Sequence, residues 1–436
     1  MSVNLDKFTL LIKNQPIDVA SYSVRYDMFN GAGDFEADID HTLMIDLTKG
    51  EVPFEIRIND QSMMIGFLEK VNRQHSKGNI SQTVSGRDMC QVLIDNYIMQ
   101  PQVYPGKPQK ANSLSQLFGD SSAQTQIDID TLINNVWQSS QTISSIATAG
   151  AKADSNGYIK GAVVLPEITL PSVDFCQDKR KPHANYADNA KTSDGKFAHL
   201  FQIKKIRTGH GQTLFDFFSH LLNGLGLYIY NIAGTRTIII HSIQSDTPVK
   251  SYDKYCNLVK DKPYNIINSP DNPGNNVESA SFSQDVSDYY TFFRFIGQTE
   301  DEDVFSEDKA PSYFIAERQI PGFKGVTKMR ATSLHALNAN VWYNEQVKLI
   351  NNEFMNQNKK LYGFQYTLAG HSPDRQTPYY FNHVATLTDS YLHISNQPLL
   401  VYGVEYKGSK QAGQTTTLSL YSPSEVPKMI SNPDIF

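Results

Sequence analysis

The stretch most like a catalytic motif is Gly370-His371-Ser372-Pro373-Asp374, a near match to the G-x-S-x-G nucleophile elbow. That elbow needs small residues around a strained strand-to-helix turn. Here Pro373 follows the serine, Asp374 stands where the last glycine belongs, and a loop follows a strand. Gly224-x-Gly226 comes after a helical pattern rather than between a strand and a helix, so it is no dinucleotide fingerprint. The run Glu300-Asp301-Glu302-Asp303 with Glu307 and Asp308 has the carboxylate density that attracts hard cations. It lacks the glycine turn and alternating ligand spacing of a calcium loop, and reads as a solvated loop. His371, His383 and His393 supply imidazoles for a metal. Their neighbours are Tyr and Thr in strand-like segments, so they read as ordinary surface histidines.

Cys90, Cys176 and Cys256 are odd in number, far apart and without a CxxC pair, which argues against a disulfide framework and a zinc knuckle and points to assembly in a reducing compartment. No Walker loop, HExxH or EF-hand pattern occurs. The expectation is therefore a chain with no catalytic, cofactor-binding or metal residues. Arg87 and Asp88 read as a structural ion pair, buried or partly buried, at a corner between strand and helix.

These residues sit on a strand-rich scaffold. Phe8 to Lys13, Ser21 to Met28, Met63 to Arg73 and Ile80 to Ser85 read as strands, and Phe54, Ile56 and Ile58 alternate with Glu55, Arg57 and Asn59 in the half-buried pattern. Asn59-Asp60 and Lys77-Gly78 mark turns. Strands at this spacing suggest a small antiparallel barrel, with Gly86-Arg87-Asp88 leading into a helix from about Met89 to Tyr97. The segment 204–242 reads as a capped helix feeding a hairpin. Thr213 with Asp216 three residues on is a capping-box-like start, Leu214, Phe217, Phe218, Leu221, Leu222 and Leu225 form one apolar stripe, and Gly226 takes the C-cap place. Leu227 to Tyr230 and Thr237 to His241 then flank Ala233-Gly234. Further on, Ser279 to Ser283 and Tyr289 to Gly297 read as strands, Arg330 to Asn356 as a long helix, and Tyr362 to Leu368 as a strand. Leu399 to Tyr406 and Thr415 to Tyr421 read as a hairpin, and this region as a second barrel.

Residues 101–200 differ from the rest. Ser, Gln, Asn, Ala and Gly crowd Asn112 to Gly157, as in low-complexity chain, and Val163 to Val173 contains strand-like stretches suited to pairing with something. The expected division is a first β-barrel at 1–88, then an α/β domain at 89–260 carrying the insertion at about 101–200. A second β-barrel follows from 261–310 and 359–436, and 311–358 connects its parts. The fold class is α+β and β-rich.

Size and charge narrow the function. The 436 residues suffice for two or more domains. Lys plus Arg number 39 against 45 Asp plus Glu, a net charge of −6, without the basic excess of a duplex-binding protein. The N-terminus has no signal-peptide h-region. The most apolar window, Leu214 to Tyr230, is broken by Asp216, His220 and Asn223, so no membrane span or membrane insertion is expected.

Several segments together resemble the phage Mu-like baseplate hub proteins of contractile tails, relatives of the hub part of type VI secretion spike proteins. They are Val84-Ser85-Gly86-Arg87-Asp88 running into Val92-Leu93-Ile94-Asp95; Gly211-Gln212-Thr213-Leu214-Phe215 with the helix carrying Phe218 and Leu222 and the following Gly226-Leu227-Tyr228; Asn275-Asn276-Val277; Phe293 to Gln298, ending in Gly297-Gln298; the helix pattern with Trp342 and Glu345; and Leu399 to Val404 with Thr415, Thr417, Leu418, Leu420 and Pro423. They occur in the family's order and cover most of the chain outside 101–200.

The resemblance implies two similar barrels in one chain and a homotrimeric ring of six, which fits a sixfold tail tube to a threefold spike. It implies tail tube proteins, a central spike, other baseplate proteins and the tape measure protein as partners, DNA only in transit, no cofactor, and a place in the virion after assembly in the host cytoplasm. A mildly acidic lumen would let phosphates pass. The alternatives are a lysozyme-like, cell-wall-degrading tail enzyme with paired carboxylates and a receptor- or glycan-binding tail protein. Phage, bacteriocin and other injection systems are not distinguished by these residues.

Overall fold

The computed structural model describes residues 6–39, 44–76, 79–97, 211–223, 227–242, 251–253, 263–285, 362–374 and 376–422, with residues 287 and 290 and short strands at 103–104, 172–175, 206–207, 258–259, 292–298, 313–319 and 329–335. The first half comprises β1 (Phe8–Ile12), β2 (Gln15–Ile17), β3 (Val19–Asp27), β4 (Asp34–Ile39), β5 (Pro53–Ile58), β6 (Gln61–Ser76) and β7 (Asn79–Asp88), followed by α1 (Gln91–Asp95). The middle contains β8 (Val103–Tyr104), β9 (Ser172–Phe175), β10 (Ile206–Arg207), α2 (Leu214–Asn223), β11 (Leu227–Asn231), β12 (Thr237–Ser242), β13 (Ser251–Tyr252) and β14 (Leu258–Val259). The second half opens with β15 (Tyr264–Asn268) and β16 (Val277–Gln284). After β17 (Phe292–Gln298), β18 (Tyr313–Gln319) and β19 (Met329–His335), it resumes with β20 (Tyr362–Ala369), β21 (His383–Asp389), β22 (Ile394–Ser409) and β23 (Gly413–Tyr421).

The strands form where the sequence alternates. In β5, Phe54, Ile56 and Ile58 are buried while Glu55 and Arg57 are not fully so, and in β20 Tyr362, Phe364, Tyr366 and Leu368 are buried in the same rhythm. Lys13-Asn14 and Asn59-Asp60 join consecutive strands with φ positive at both central residues, the turn whose twist suits a hairpin.

The β-rich α+β class holds, with a particular topology. The main strands form one 13-stranded sheet along the path β16-β20-β23-β22-β3-β4-β7-β6-β5-β1-β2, with β21 and β15 attached beside β22. Among the described residues the paired strands do not close into separate rings. The strand β22 joins the halves. Its early residues pair with β21 on one edge, and from Gly403 to Ser409 that edge pairs with Asp27 to Ser21 of β3. One continuous core underlies both halves, from Leu10, Val24 and Ile56 to Phe364, Tyr406 and Leu418. Tyr26 of β3 sits at its centre, with Tyr380, Phe381 and Tyr406 in ring contact around it.

The two halves repeat one pairing pattern. In the first, the order is β1-β5-β6-β7-β4-β3; in the second, β15-β21-β22-β23-β20-β16. The long strand has 16 residues in each half, and each bulges at the matching point, between Leu68 and Lys70 and between Val401 and Gly403. The outermost strands bulge alike, between Val19 and Ser21 and between Val277 and Ser279. The halves differ in one pairing: β1 runs antiparallel to β5, whereas β15 runs parallel to β21.

Two helix expectations are corrected. The helix from Met89 to Tyr97 is cut to Gln91–Asp95, because Tyr97 is drawn into a bridge with Thr213. The start of the expected helix from Arg330 is instead part of β19, paired in parallel with β17. Lack of Gly and Pro permits a strand as well as a helix, and the neighbouring strand decides. The rest of that segment, with Trp342, lies outside the described residues. Within the expected insertion, β9 pairs in parallel with β12, and β8 pairs antiparallel with β10, so the strand-like character near Val173 has a partner.

Candidate functional site: the seam between the halves

The seam is built where β3 of the first half meets β22 of the second. On its outer face Arg25 Nε donates to Glu405 Oε1 at 2.6 Å, Ser23 Oγ donates to the same oxygen, and Lys407 Nζ lies 2.8 Å from Oε2. Partial burial would raise the Glu405 carboxyl, but Lys407 and Arg25 hold it below its usual range.

At one end of the seam lies a polar cluster. Asp6 Oδ1 accepts from Asn59 Nδ2 at 2.6 Å and from Ser372 Oγ at 2.7 Å, and Asp6 Oδ2 accepts from the His371 amide at 2.5 Å. Burial pushes the Asp6 carboxyl up, and these donors outweigh it, so the group stays below its usual value. His371 is fully buried. Burial lowers its pKa to about 4, against the opposing charge of Asp6, so it is neutral near pH 7. Its proton can be placed from its neighbours. Thr416 Oγ1 donates to the Gly370 carbonyl, so it must accept from Nδ1–H, 3.0 Å away. Nε2 is then an acceptor, and Tyr22 Oη donates to it at 2.7 Å while accepting from Gln414 Nε2.

This arrangement is not a serine–histidine nucleophile pair. Ser372 Oγ gives its hydrogen to Asp6, and His371 is engaged on both nitrogens by Tyr22 and Thr416, so the serine lacks the imidazole base that activation requires. What the cluster does is hold the halves together: Asp6, Tyr22 and Asn59 come from one, Gly370 to Ser372, Gln414 and Thr416 from the other.

The expected surface placement of the histidines is corrected for two of them. His371 lies in this seam, and His383, also buried, stacks on Tyr264 with ring centroids 4.1 Å apart. Among the described residues no group of three or more metal-ligating side chains exists. The acidic run at 300–308 lies outside the described residues.

The Gly86-Arg87-Asp88 corner holds together differently from the expected ion pair. Successive residues of β7 face opposite sides. Arg87 turns outward, donating from Nε to Glu69 at 2.7 Å and from Nη2 to Asp95 at about the same range. Asp88 turns inward, accepting from the Gly33 amide at 2.7 Å and the Cys90 amide at 2.9 Å. Burial pushes the Asp88 carboxyl up to about 7, partly opposed by those amides. Gly86 is required by packing, since a Cβ there would stand 2.4 Å from the Phe67 carbonyl and about 3 Å from the Phe35 and Phe54 rings.

The helix expected after Gly211 forms as α2. Thr213 Oγ1 accepts from the Asp216 amide at 2.9 Å, the predicted cap, and the Leu214 amide donates to the Asn96 carbonyl, tying α2 to the end of α1. Leu214, Phe217 and Phe218 are buried. Leu222 lies on the same helix. Gly211 has φ +71, a left-handed conformation suited to glycine. Gly226 lies outside the described residues. The hairpin after it reaches the seam: Ala233 is fully buried, its amide donates to Tyr380 Oη, and Gly234, at φ +67, lies against the Ser62 backbone. Gly297 and Gln298 end β17, opposite Phe314 and Tyr313 on one side and Leu334 and His335 on the other.

Sequence reasoning missed Asp6, Tyr22, Asn59, Gln414 and Thr416, which are scattered over four hundred residues and carry no local motif. It also missed two strand edges that are unpaired among the described residues. One signal was present for them: the strand read from Met63 to Arg73 runs well beyond the six residues of β5 that precede it.

Among the described residues no helix is long and apolar enough to cross a membrane. No protein-family model matches the chain, and no curated protein matches it. Solved structures do. The tail protein from Neisseria meningitidis MC58 superposes with a TM-score of 0.63 at 14% identity, covering 95% of this chain and 96% of its own. The 43 kDa tail protein of prophage MuSo2 from Shewanella oneidensis superposes with a TM-score of 0.60 at 12% identity, covering 96% and 98%. Over nearly its whole length, this chain has the fold of these two tail proteins.

Proposed function

We propose that this chain is a structural subunit of the baseplate hub of a contractile phage tail or related injection machine. In this reading three copies form a ring that joins the sixfold tail tube to the threefold central spike and leaves a channel for DNA. Tail tube, spike, other baseplate proteins and the tape measure protein are the partners. The ring belongs to the virion and is assembled in the host cytoplasm.

The observation that carries the reading is the internal duplication. Two equivalent β units per chain, matched in strand order and in both bulges, turn a threefold assembly into six similar units. The likeness in fold to two tail proteins supports it. We assign the first β unit to residues 1–88, an α/β unit to 89–260, the second β unit to 261–310 with 359–436, and a connector to 311–358. Gly86, Arg87, Asp88, Gly211, Thr213, Leu214, Phe218, Leu222, Gly226, Gly297, Gln298 and Trp342 serve packing or assembly in this scheme, without a catalytic role.

A non-enzymatic role agrees with the seam, where the one serine beside a histidine and an aspartate is wired for support. Electron microscopy of the purified chain, class-averaged without imposed symmetry, tests the proposal. Rings of three copies with six similar lobes are expected; particles without rotational symmetry would refute it. Release of soluble fragments from purified peptidoglycan would favour the lysozyme-like alternative instead.

A further inference from the structure

The duplication makes a prediction about the edges of the sheet. In the first half the outermost strand β3 is covered on its free side by Gly403–Ser409 of β22, the far portion of the second half's long strand. By the same pattern, the outermost strand of the second half, β16, should be covered by the far portion of a first half's long strand, β6. Within one chain it is not: among the described residues β16 pairs with β20 alone, and Lys70–Ser76 pair with β7 alone. All of β16 after Val277 is exposed, including Phe282 at 37%, while its counterpart β3 is mostly half-buried or buried. The sequence VESASFSQ has no proline, lysine or inward charge to protect an edge.

We infer that β16 of one copy pairs antiparallel with residues 70–76 of β6 in a second copy, in the register of the β22·β3 seam. That register follows residue by residue. The bulges set Lys70 against Gly403 and Ser279 against Ser21. Transferring Glu405 opposite Arg25 and Lys407 opposite Ser23 places Asn72 opposite Ser283 and Gln74 opposite Ser281. It also places Lys70 opposite Asp285. In this register opposite charges meet at one point, Lys70 with Asp285, while Arg73 stands opposite Phe282. Phe282 takes the place of Val24, which is fully buried at the internal seam, so its exposed ring becomes covered. The contact is heterologous, head to tail, and repeats until the ring closes. Closure at three copies rests on the hub reading; the strand pairing does not.

The test is disulfide trapping in the full chain. Antiparallel neighbours lie within the Cα separation a disulfide needs. The double variant Asn72→Cys with Ser283→Cys is oxidised and run on a denaturing, non-reducing gel beside the parent chain. A second pair, Gln74→Cys with Ser281→Cys, guards against a local folding defect. A register control, Asn72→Cys with Ser279→Cys, is displaced by four residues, roughly 13 Å. The expected result is loss of the single-chain band for both matched pairs, as covalent multimers that reduction dissolves, with the control and parent remaining single chains. Solution mass is read in parallel. An assembled protein in which the matched pairs cross-link no more than the control would overturn the strand pairing and leave the ring reading standing. A protein that neither assembles nor cross-links would overturn both.

Discussion

Val19 and Val277 stand at the same point in two copies of one pattern. Val19 lies opposite Ile39 and Val277 opposite Leu368, and in each strand a bulge follows at once, so that Ser21 and Ser279 take the next paired positions opposite Asp38 and Thr367. A bulge is a local kink with a defined place in a sheet, and two of them matched in both halves are hard to obtain except by repetition of one unit. The repetition relates the seam to the edges of the sheet, and the predictions below follow from it and from the packing that supports it.

Gly86→Ala should destabilise the first half. The added methyl meets the Phe67 carbonyl and the Phe35 and Phe54 rings, and backbone cannot yield as a flexible side chain would. A loss of about 1–3 kcal/mol is expected, read as a lowered midpoint in chemical denaturation. An unchanged midpoint would show that the sheet opens there at no cost.

Phe218→Ala should cost about 3–5 kcal/mol, since the ring is fully buried in the face of α2, and Phe218→Asp should yield no soluble, assembling protein. A stable, assembling Phe218→Asp chain would mean that α2 does not brace the fold.

Two buried groups contribute to the pH dependence of stability with opposite signs. His371 has its folded pKa lowered to about 4, so its contribution is full above its unfolded value near 6.5 and is lost as pH falls toward 4. Asp88 has its folded pKa raised to about 7, so its contribution is full below the unfolded value near 3.8 and is lost as pH rises through 7. Between roughly pH 4 and 6.5 the slopes cancel. These two groups should therefore leave the parent chain's profile in that window flatter than that of either single variant. Asp88→Asn should lose stability on acidification from 6.5 to 4, and His371→Gln should lose it on raising pH over the same range. Denaturation midpoints at half-unit intervals measure this, and parallel profiles for both variants would contradict the assignment.

Arg87→Ala should have a small effect, on the order of 1 kcal/mol or less, because its pairs with Glu69 and Asp95 are partly exposed. A loss several times larger, in the same denaturation assay, would mean that the corner depends on the ion pairs more than on the inward Asp88.

Much of the fold was legible because alternation is local. Phe54 to Ile58, Tyr362 to Leu368 and the Leu399 to Tyr421 hairpin appear where the pattern placed them, and Thr213 caps α2 as its spacing implied. Arg330 to His335 was misread because absence of Gly and Pro does not separate helix from strand, and β17 supplied the partner that does. The seam was illegible for a different reason. Asp6 and Ser372 meet across 366 positions, and nothing in the neighbourhood of either announces the other. His371 looked like a surface histidine because its partners Tyr22, Tyr406 and Thr416 are all distant in sequence, and Tyr22 belongs to the opposite half. The open edge of β16 was hidden because exposure of Ser279 to Gln284 is a property of what fails to cover them.

The central claim is that copies of this chain form a closed ring of duplicated units. Its most direct test is the solution mass of the purified protein, measured by light scattering across a concentration series. The account predicts a stable mass three times that of the 49.0 kDa chain, unchanged on dilution over a wide range. A chain that remains at 49.0 kDa at every concentration would contradict it.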